Sequence, residues 1–384
     1  MMFSRRFPAY VLAGALAGFA SAACADPLPT PAMNGPLSTN ASPTQFDAGP
    51  LGTVYVTGAV SGMGMLQNNE AASDDDAQVD LTNGQVFIQT TEGPVQFVVQ
   101  VGAYSTPSLG LPYLKADKTT DALFGPVPQA YVKIVPTENF SIQIGKLPTL
   151  IGAEYTFTYQ NQNIERGLLW NQEPAASRGV QLNFAQGPVS ASVSWNDGYY
   201  SNRGSWISGL VSLAVTPNDI IAVAGGANTD TTVYSSGATP LFQNNSEIYN
   251  LIYTHTGENY AITPYLQYNK VDADERLGLG RSGSTFGAAV LGRYSFTENW
   301  SLGGRVEYIR SSGSAEAGAP NLLYGQGSKA WSLTLTPTFQ QGIFFARGEL
   351  SYVKVEDEVP GLALGPDGTD TSQTRALVEV GVLF

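Results

Sequence analysis

The stretch TENWSLGGRVEYIR at residues 297–310 begins with turn-forming residues and continues as apolar side chains that alternate with polar or small ones. The same arrangement occurs in TENFSIQIGK at residues 137–146 and in TPNDIIAVAG at residues 216–225. Asn and Gly tolerate the backbone of tight turns, and a period of two places alternate side chains on opposite faces of a β-strand. Each copy is therefore predicted to be a tight turn that opens a strand of one large sheet.

The composition agrees with a sheet that has one apolar and one polar face. Only 13% of the 384 residues are charged, about half of the usual share, whereas Gly (42), Tyr (19) and Phe (17) are frequent. No apolar run reaches the roughly 18 residues that indicate a spanning helix. The formal net charge of −13 disfavours a nucleic-acid partner.

Residues 1–25 are predicted to be a cleaved signal peptide. Arg5 and Arg6 give a positive start, the run 9–20 is apolar except for one Tyr, and residues 23–25 read A-C-A, which fits an A-x-A cleavage site. A lipoprotein signal with an acylated Cys24 is the alternative. Cleavage removes the single cysteine and leaves 17 basic against 32 acidic residues, a net charge of −15. Residues 26–52 are rich in proline and are expected to be an extended periplasmic lead-in.

Short and long connections alternate strictly over residues 53–384. The seven tight turns are centred on 91–93, 137–139, 185–187, 216–218, 257–259, 297–299 and 340–342. The eight longer connections are expected at about 66–82, 105–127, 148–177, 197–205, 228–245, 270–284, 311–329 and 356–372. This pattern is typical of all-β outer-membrane barrels with short periplasmic turns and long external loops. It predicts a transmembrane antiparallel β-barrel of sixteen strands, with fourteen or eighteen as alternatives.

Aromatic residues at the predicted strand ends fit the two interfaces of a bilayer. Expected outward positions near the short turns are Phe140, Phe184, Tyr260, Phe296, Trp300 and Phe344. Those near the long loops are Tyr104, Trp195, Tyr268, Tyr308 and Tyr352. The chain ends on Phe384, also at an outward position, which resembles the signal by which barrel-assembly machinery recognises outer-membrane proteins.

Three segments resemble the OmpL-like family of β-barrel porins. They are Ile144–Lys146 at the end of a strand, Arg166–Asn171 (RGLLWN) in the long third loop, and Arg178–Leu182 (RGVQL) at the start of the next strand. The segment 147–150 (LPTL) departs from the more aromatic stretch that is usual in the family after Gly-Lys. The resemblance implies an outer-membrane porin through which small hydrophilic solutes diffuse passively.

The third external loop of sixteen-stranded porins folds into the barrel and narrows it. The matching loop here is the longest, and its segment 161–170 is expected to form a short helical turn. The loop residues expected near the constriction are Glu154, Glu165, Arg166, Glu173 and Arg178. A solvated surface loop is the alternative.

Charged residues on the strands are expected to face the lumen, because a charge facing lipid costs about 2–4 kcal/mol near the midplane. The candidates are Lys133, Arg293, Arg305, Glu307, Arg347, Glu349, Arg375 and Glu379. Arginines facing loop glutamates would set a transverse field across the pore, or the wall charges would form a stiffening ladder. Both arrangements are compatible.

These observations predict a porin for small hydrophilic solutes and ions, exported to the Gram-negative outer membrane, with weak cation preference and no cofactor or metal. Expected partners are membrane lipid, lipopolysaccharide, the barrel-assembly machinery and possible further copies of the chain. The alternative is a closed or plugged barrel, filled by residues such as Tyr104 and Tyr265, whose acidic loops serve adhesion or lipopolysaccharide binding. An enzyme is not expected, since no catalytic trio accompanies His255, the single histidine.

Overall fold

The computed structural model describes residue 28 and residues 30–384. The predicted signal peptide, its cleavage site and Cys24 lie outside the described residues. Among the residues described, no helix is long and apolar enough to cross a membrane.

Seventeen strands account for most of the chain. They are β1 (Thr44–Asp47), β2 (Thr53–Gln67), β3 (Ala77–Thr90), β4 (Val95–Tyr104), β5 (Gln129–Thr137), β6 (Phe140–Pro148), β7 (Ala176–Gln186), β8 (Val189–Asn196), β9 (Trp206–Thr216), β10 (Asp219–Asn228), β11 (Ser246–Thr256), β12 (Tyr260–Val271), β13 (Gly283–Ser295), β14 (Trp300–Ser311), β15 (Lys329–Gln341), β16 (Phe344–Glu356) and β17 (Ser372–Leu383). Two short helices, α1 (Ala116–Ala122) and α2 (Leu241–Asn244), lie in the long connections.

Strands β2 to β17 form a closed antiparallel barrel of sixteen strands. Each strand pairs with the next along the chain, and β17 pairs back with β2, so that Val382 lies opposite Val60. The short strand β1 pairs with the beginning of β2, where Thr44 lies opposite Val56. A closed ring leaves no unpaired edge, which is the condition for a sheet in lipid. The predicted sixteen-stranded barrel is confirmed.

The inner face of the barrel is polar and the outer face is apolar. On β15 the outward positions hold Trp331, Leu333 and Leu335, all exposed, whereas Ser332 and Thr334 between them are buried inside. A soluble sandwich would have the opposite arrangement. The period-of-two pattern therefore belongs to a barrel that faces lipid.

The seven tight turns join the strands as expected, and all eight long connections emerge at the other end. The first long connection is shorter than predicted, spanning 68–76, because pairing between β2 and β3 continues to Leu66 and Ala77. In the third long connection, loop 3 (residues 149–175), the short helical turns are Thr158–Gln160 and Trp170–Gln172. The expectation of a helical turn over 161–170 was wrong, because that segment runs along the barrel wall in an irregular conformation.

One aromatic residue lies on the other side of the wall from its expected position. Tyr104 is fully buried inside the barrel against Phe124 and Phe157. It shares the even-numbered positions of β4 with the inward Gln100, so the alternation of the strand itself places it inside. Phe384 follows the outward Val380 and Val382 and exchanges two backbone hydrogen bonds with Gly58 of β2 (2.7 and 3.0 Å).

The segment that was expected to be a lead-in begins inside the barrel. From residue 30 to about residue 38 it lies in the lumen near the short turns, and the side chain of Leu37 is buried there. Lumen-facing Gln89 and Arg293 donate hydrogen bonds to its carbonyl oxygens.

Candidate functional site: the lumen and loop 3

Six charged residues of three strands line one side of the lumen. They are buried and inward-facing: Arg305 and Glu307 on β14, Arg347 and Glu349 on β16, and Arg375 and Glu379 on β17. The alternation of the strands positions them: the two residues of each pair are two or four positions apart, so both face the same side of the sheet. All six are among the wall residues that the sequence analysis proposed for the lumen.

Two of the wall glutamates bind loop 3 through its main chain. Each carboxylate accepts hydrogen bonds from two successive backbone amides and from one hydroxyl of the neighbouring β15. The donors are the amides of Ile164 and Glu165 (2.5 and 2.9 Å) and Thr336 (2.6 Å) for Glu349, and the amides of Leu168 and Leu169 (3.0 and 3.2 Å) and Ser332 (2.7 Å) for Glu307. Hydrogen bonds to a charged acceptor are among the strong ones, so these contacts fix loop 3 against the wall.

Ion pairs complete the attachment of loop 3. Arg305 lies 2.6 Å from Glu154 and 3.1 Å from Glu307, and Arg375 lies 2.7 Å from Glu165. Each of these distances joins a guanidinium nitrogen to a carboxylate oxygen. The arginine and glutamate charges are therefore in direct contact. The sequence analysis expected them to set a transverse electric field across the pore, whereas in contact they neutralise each other.

The third wall arginine holds the first half of loop 3. Arg347 pairs with Glu379 at 2.6 Å and donates to the carbonyl oxygens of Thr158 and Asn161 (3.0 and 2.9 Å). Glu379 also accepts from the hydroxyl of Thr158 at 2.7 Å. A buried pair with its remaining hydrogen-bonding sites satisfied is costly to break.

Two further loop candidates lie inside the lumen. Arg166 is buried and donates to the carbonyl oxygens of Asn163 and Ile164 (2.8 and 2.6 Å), so it stabilises the loop itself. The carboxylate of Glu173 is buried and has no hydrogen-bond partner among the described residues. It packs against Gly152, where a Cβ atom would lie 1.8 Å from a carboxylate oxygen.

Arg178 is not among the loop charges of the lumen. Its position on β7 alternates with the inward Gln181, so it lies on the outer side of the wall at the long-loop end. There it pairs with Asp197 at 2.7 Å and stacks on the ring of Tyr200 at 3.8 Å. Its expected place at the constriction was wrong, because Arg178 is already part of β7 and lies between the inward positions of Ser177 and Gly179.

Lys133 and Arg293 face the lumen near the short turns, away from the charged contacts of loop 3. They lie on β5 and β13, eight strands apart in the ring and therefore on opposite sides. Arg293 donates to the carbonyl oxygen of Gly35 at 2.6 Å.

The opposite wall, formed by β6 to β12, carries no formal charge at the inward positions of these described strands. The polar inward side chains of β6 to β9 include Ser141, Gln143, Gln181, Asn183, Ser190, Ser192, Ser194, Asn196, Ser208 and Ser212, whereas Leu147, Trp206 and Leu210 are apolar inward residues of the same strands. Many bond to each other, as in the contact of Gln181 with Asn183 (2.7 Å). Between this wall and loop 3 lies a small cavity of about 10 Å³ lined by Gln181, Ser194 and Ser208. The sequence analysis overlooked this wall, although alternating Ser, Asn and Gln residues are its signal.

The comparisons with known proteins agree with this geometry. Residues 53–384 match the family described as "Putative beta-barrel porin-2, OmpL-like". The chain belongs to this family. It is therefore an outer-membrane β-barrel porin, with its short turns at the periplasmic end and its long loops outside.

Solved outer-membrane barrels share the fold at low sequence identity. OmpT of Vibrio cholerae is similar with a TM-score of 0.58 and 12% identity over 89% of this chain and 100% of that one. The outer membrane channel DcaP of Acinetobacter baumannii is similar with a TM-score of 0.56 and 10% identity over 86% of this chain and 97% of that one. No curated protein sequence matches. At these identities the structural likeness shows the fold alone.

Proposed function

We propose that this porin lets small hydrophilic solutes and ions diffuse passively across the outer membrane, past a constriction made by loop 3. The observation that carries the proposal is a strip of wall to which loop 3 makes no hydrogen bond: among the described contacts, the polar inward side chains of β6 to β9 bond to each other. Loop 3 does bond to β11 and β12, through Asn250 and Gln267. Glu307, Glu349 and Arg305 fix it to the β14–β17 wall. Passage then follows the polar, uncharged inward face of β6 to β9.

The paired charges predict weak ion selectivity. Each wall arginine near loop 3 contacts a carboxylate, so the arginine charges are neutralised, whereas Glu173 and Glu349 form no ion pair among the described residues. The acidic external loops attract cations to the outer mouth by their long-range potential. Lys133 and Arg293 oppose this attraction at the periplasmic mouth. We expect a weak cation preference overall.

Single-channel conductance of the detergent-purified mature chain in a planar bilayer, under a salt gradient, tests the proposal. Steps of stable size with a small reversal potential on the cation side are the expected result. A strongly anion-shifted reversal potential would refute the selectivity. Silence from protein shown to be folded by heat-shifted gel mobility would refute the open channel.

A closed barrel is the second candidate, and the filling of the lumen favours it. Tyr104 and Tyr265 are buried inside, as are most of loop 3 and several residues of the segment 30–37. In that case the acidic external loops would contact lipopolysaccharide or a surface partner. The same conductance measurement separates the two candidates.

We expect no enzymatic activity, and this stays a prediction. His255 lies at the periplasmic end, where its ring nitrogens contact Asp219 (2.8 Å) and the hydroxyl of Tyr260 (3.1 Å). It thus has an acid partner that the sequence analysis did not identify, and its second contact is a phenol. Unchanged lipid hydrolysis in a His255→Ala variant relative to the parent is the expected result.

A further inference from the structure

Residues 30–38 occupy the periplasmic half of the lumen through a set of specific hydrogen bonds. Carbonyl oxygens of the segment accept from side chains of the wall and of loop 3, and its amides donate to carbonyl oxygens of loop 3. The contacts are Thr30 O with Gln89 Nε2 (2.5 Å), Ala32 O with Gln160 Nε2 (2.9 Å), Asn34 N with Gln160 O (2.8 Å), Asn34 Nδ2 with Ala153 O (2.6 Å) and Gly35 O with Arg293 Nη1 (2.6 Å). The segment therefore bridges the lower wall and the underside of loop 3.

Close packing accompanies these hydrogen bonds. A Cβ atom at Gly35 would lie 2.3 Å from the carbonyl oxygen of Asn161, so only glycine fits against loop 3. The side chain of Leu37 belongs to a buried apolar cluster with Phe87 and Phe345 of the wall. Ser38 exchanges two hydrogen bonds, each 2.8 Å long, with the Gln340 side chain at the periplasmic rim.

The segment is tied to the barrel just beyond the rim. Residues 41 and 42 are exposed, and β1 then pairs with the periplasmic end of β2. A segment that leaves the lumen therefore stays next to the mouth and can return. Tethering of this kind gives a high local concentration of the bound segment.

The chemistry of the segment suits the lumen. Residues 27–46 contain no charged residue, and five prolines occur within residues 27–43. Proline-rich chains are extended beforehand and lose little conformational freedom on binding. The side-chain amides of Gln89 and Gln160 and the guanidinium of Arg293 donate hydrogen bonds to the carbonyl groups of such a chain. The peptide therefore binds without a carboxylate of its own.

We propose that the periplasmic half of the lumen is a binding site for an uncharged, proline-rich peptide, and that residues 30–38 fill it as a built-in plug. While the plug is bound it closes the space below loop 3. When it leaves, solutes reach the polar, uncharged inward face of β6 to β9 from the periplasm.

Conductance of full-length Gly35→Val tests the plug, because the added side chain cannot fit against Asn161. Ala41→Val, which adds bulk to an exposed residue of the same segment, is the matched control. We expect at least a twofold higher conductance or open probability for Gly35→Val than for the parent, and no change for Ala41→Val. A synthetic peptide of residues 28–40, added on the periplasmic side, should block Gly35→Val, and a scrambled peptide should not.

Equal conductance of the parent and Gly35→Val, or no block by the peptide, would overturn the plug while leaving the channel function intact.

Cysteine labelling with a water-soluble maleimide measures the solvent exposure of the segment independently of conductance. Leu37→Cys should react slowly and Ala41→Cys rapidly, and adding Gly35→Val should speed labelling at position 37. Equally rapid labelling at both positions in the parent background would also overturn the plug. Silent channels with the expected labelling would instead reject the proposed function and keep the plug.

Discussion

At the residue scale, single carboxylates decide where loop 3 lies. Glu307 has its two oxygens occupied by the amides of Leu168 and Leu169, by the hydroxyl of Ser332 and by Arg305. The sequence was sufficient to identify Glu307 as an inward charge on a strand. It was not sufficient to identify the partners of Glu307, because the backbone amides of a distant loop carry no sequence signal.

Glu307→Gln is expected to loosen loop 3. The uncharged Gln amide accepts hydrogen bonds more weakly than the carboxylate that now binds the two loop amides and the Ser332 hydroxyl. Arg305 also loses one of its two carboxylate neighbours. Removing one partner of a buried pair costs about 3–5 kcal/mol. The urea midpoint of unfolding should fall and single-channel noise should rise. Glu356→Gln, at an exposed position of the same charge, serves as the control; a parent-like midpoint for Glu307→Gln would contradict the role of this contact.

Asp274 in the sixth external loop is expected to make a local contact pH-dependent. Hydrogen bonds from Arg276 and Thr231 hold the pKa of its carboxyl well below the usual value. A carboxyl with a lowered folded-state pKa stabilises the fold above its unfolded pKa of about 3.9, and that stabilisation is lost as the pH falls below it.

Hydrogen-exchange protection of the Arg276 amide, which donates to Asp274 at 2.8 Å, measures this effect. Protection relative to the intrinsic exchange rate should be constant near neutral pH and decline below about pH 4. In Asp274→Asn it should be low at every pH. A decline of the same size in that variant would assign the pH dependence to another group.

At the scale of elements, the closure of the barrel depends on the contact of β17 with β2. Beyond Leu383, the last residue of β17, the terminal Phe384 continues the pairing with Gly58, and its ring covers the outer side of that glycine. The outward position of Phe384 followed from alternation alone. The glycine beneath it could not be predicted, because the partner of the last strand lies at the other end of the chain.

Gly58→Val is expected to weaken closure, because a Cβ atom there would lie 2.4 Å from the ring of Phe384. The temperature of the heat-induced gel shift should fall by several degrees. Gly62→Ala is the control on the same strand, where the added atom would meet only the Asp80 carbonyl oxygen at 3.4 Å. Equal shifts for both variants would show that the Phe384 contact does not matter.

At the scale of the whole molecule, the two halves of the lumen differ in charge. The β14–β17 wall is charged and bound by loop 3, whereas the polar inward face of β6 to β9 is uncharged and makes no hydrogen bond to loop 3 among the described contacts. The division predicts which wall the solutes contact. Charges added on the uncharged side should alter selectivity strongly.

Ser194→Asp is expected to raise the cation-to-anion permeability ratio about fivefold, since a unit charge at about 4 Å is worth about 1 kcal/mol in water. Ser194 lines the small cavity between loop 3 and this wall. The reversal potential under a salt gradient measures the ratio. Ser235→Asp, an exposed residue of the fifth external loop, carries the same charge outside the lumen and should leave the ratio within experimental error. Identical ratios for the two variants would place the solute path elsewhere.

The sequence by itself predicted the barrel, a strand number of sixteen with fourteen or eighteen as alternatives, the end at which the long loops emerge and the inward side of the wall charges. These features are local, because turn residues and a period of two act over a few neighbouring positions. Only the tertiary structure decided that loop 3 lies against β14–β17 and that residues 30–38 lie within the lumen. Each of these depends on contacts between segments that are far apart in the chain, where hydrogen bonding and close packing, rather than any local pattern, select the partner.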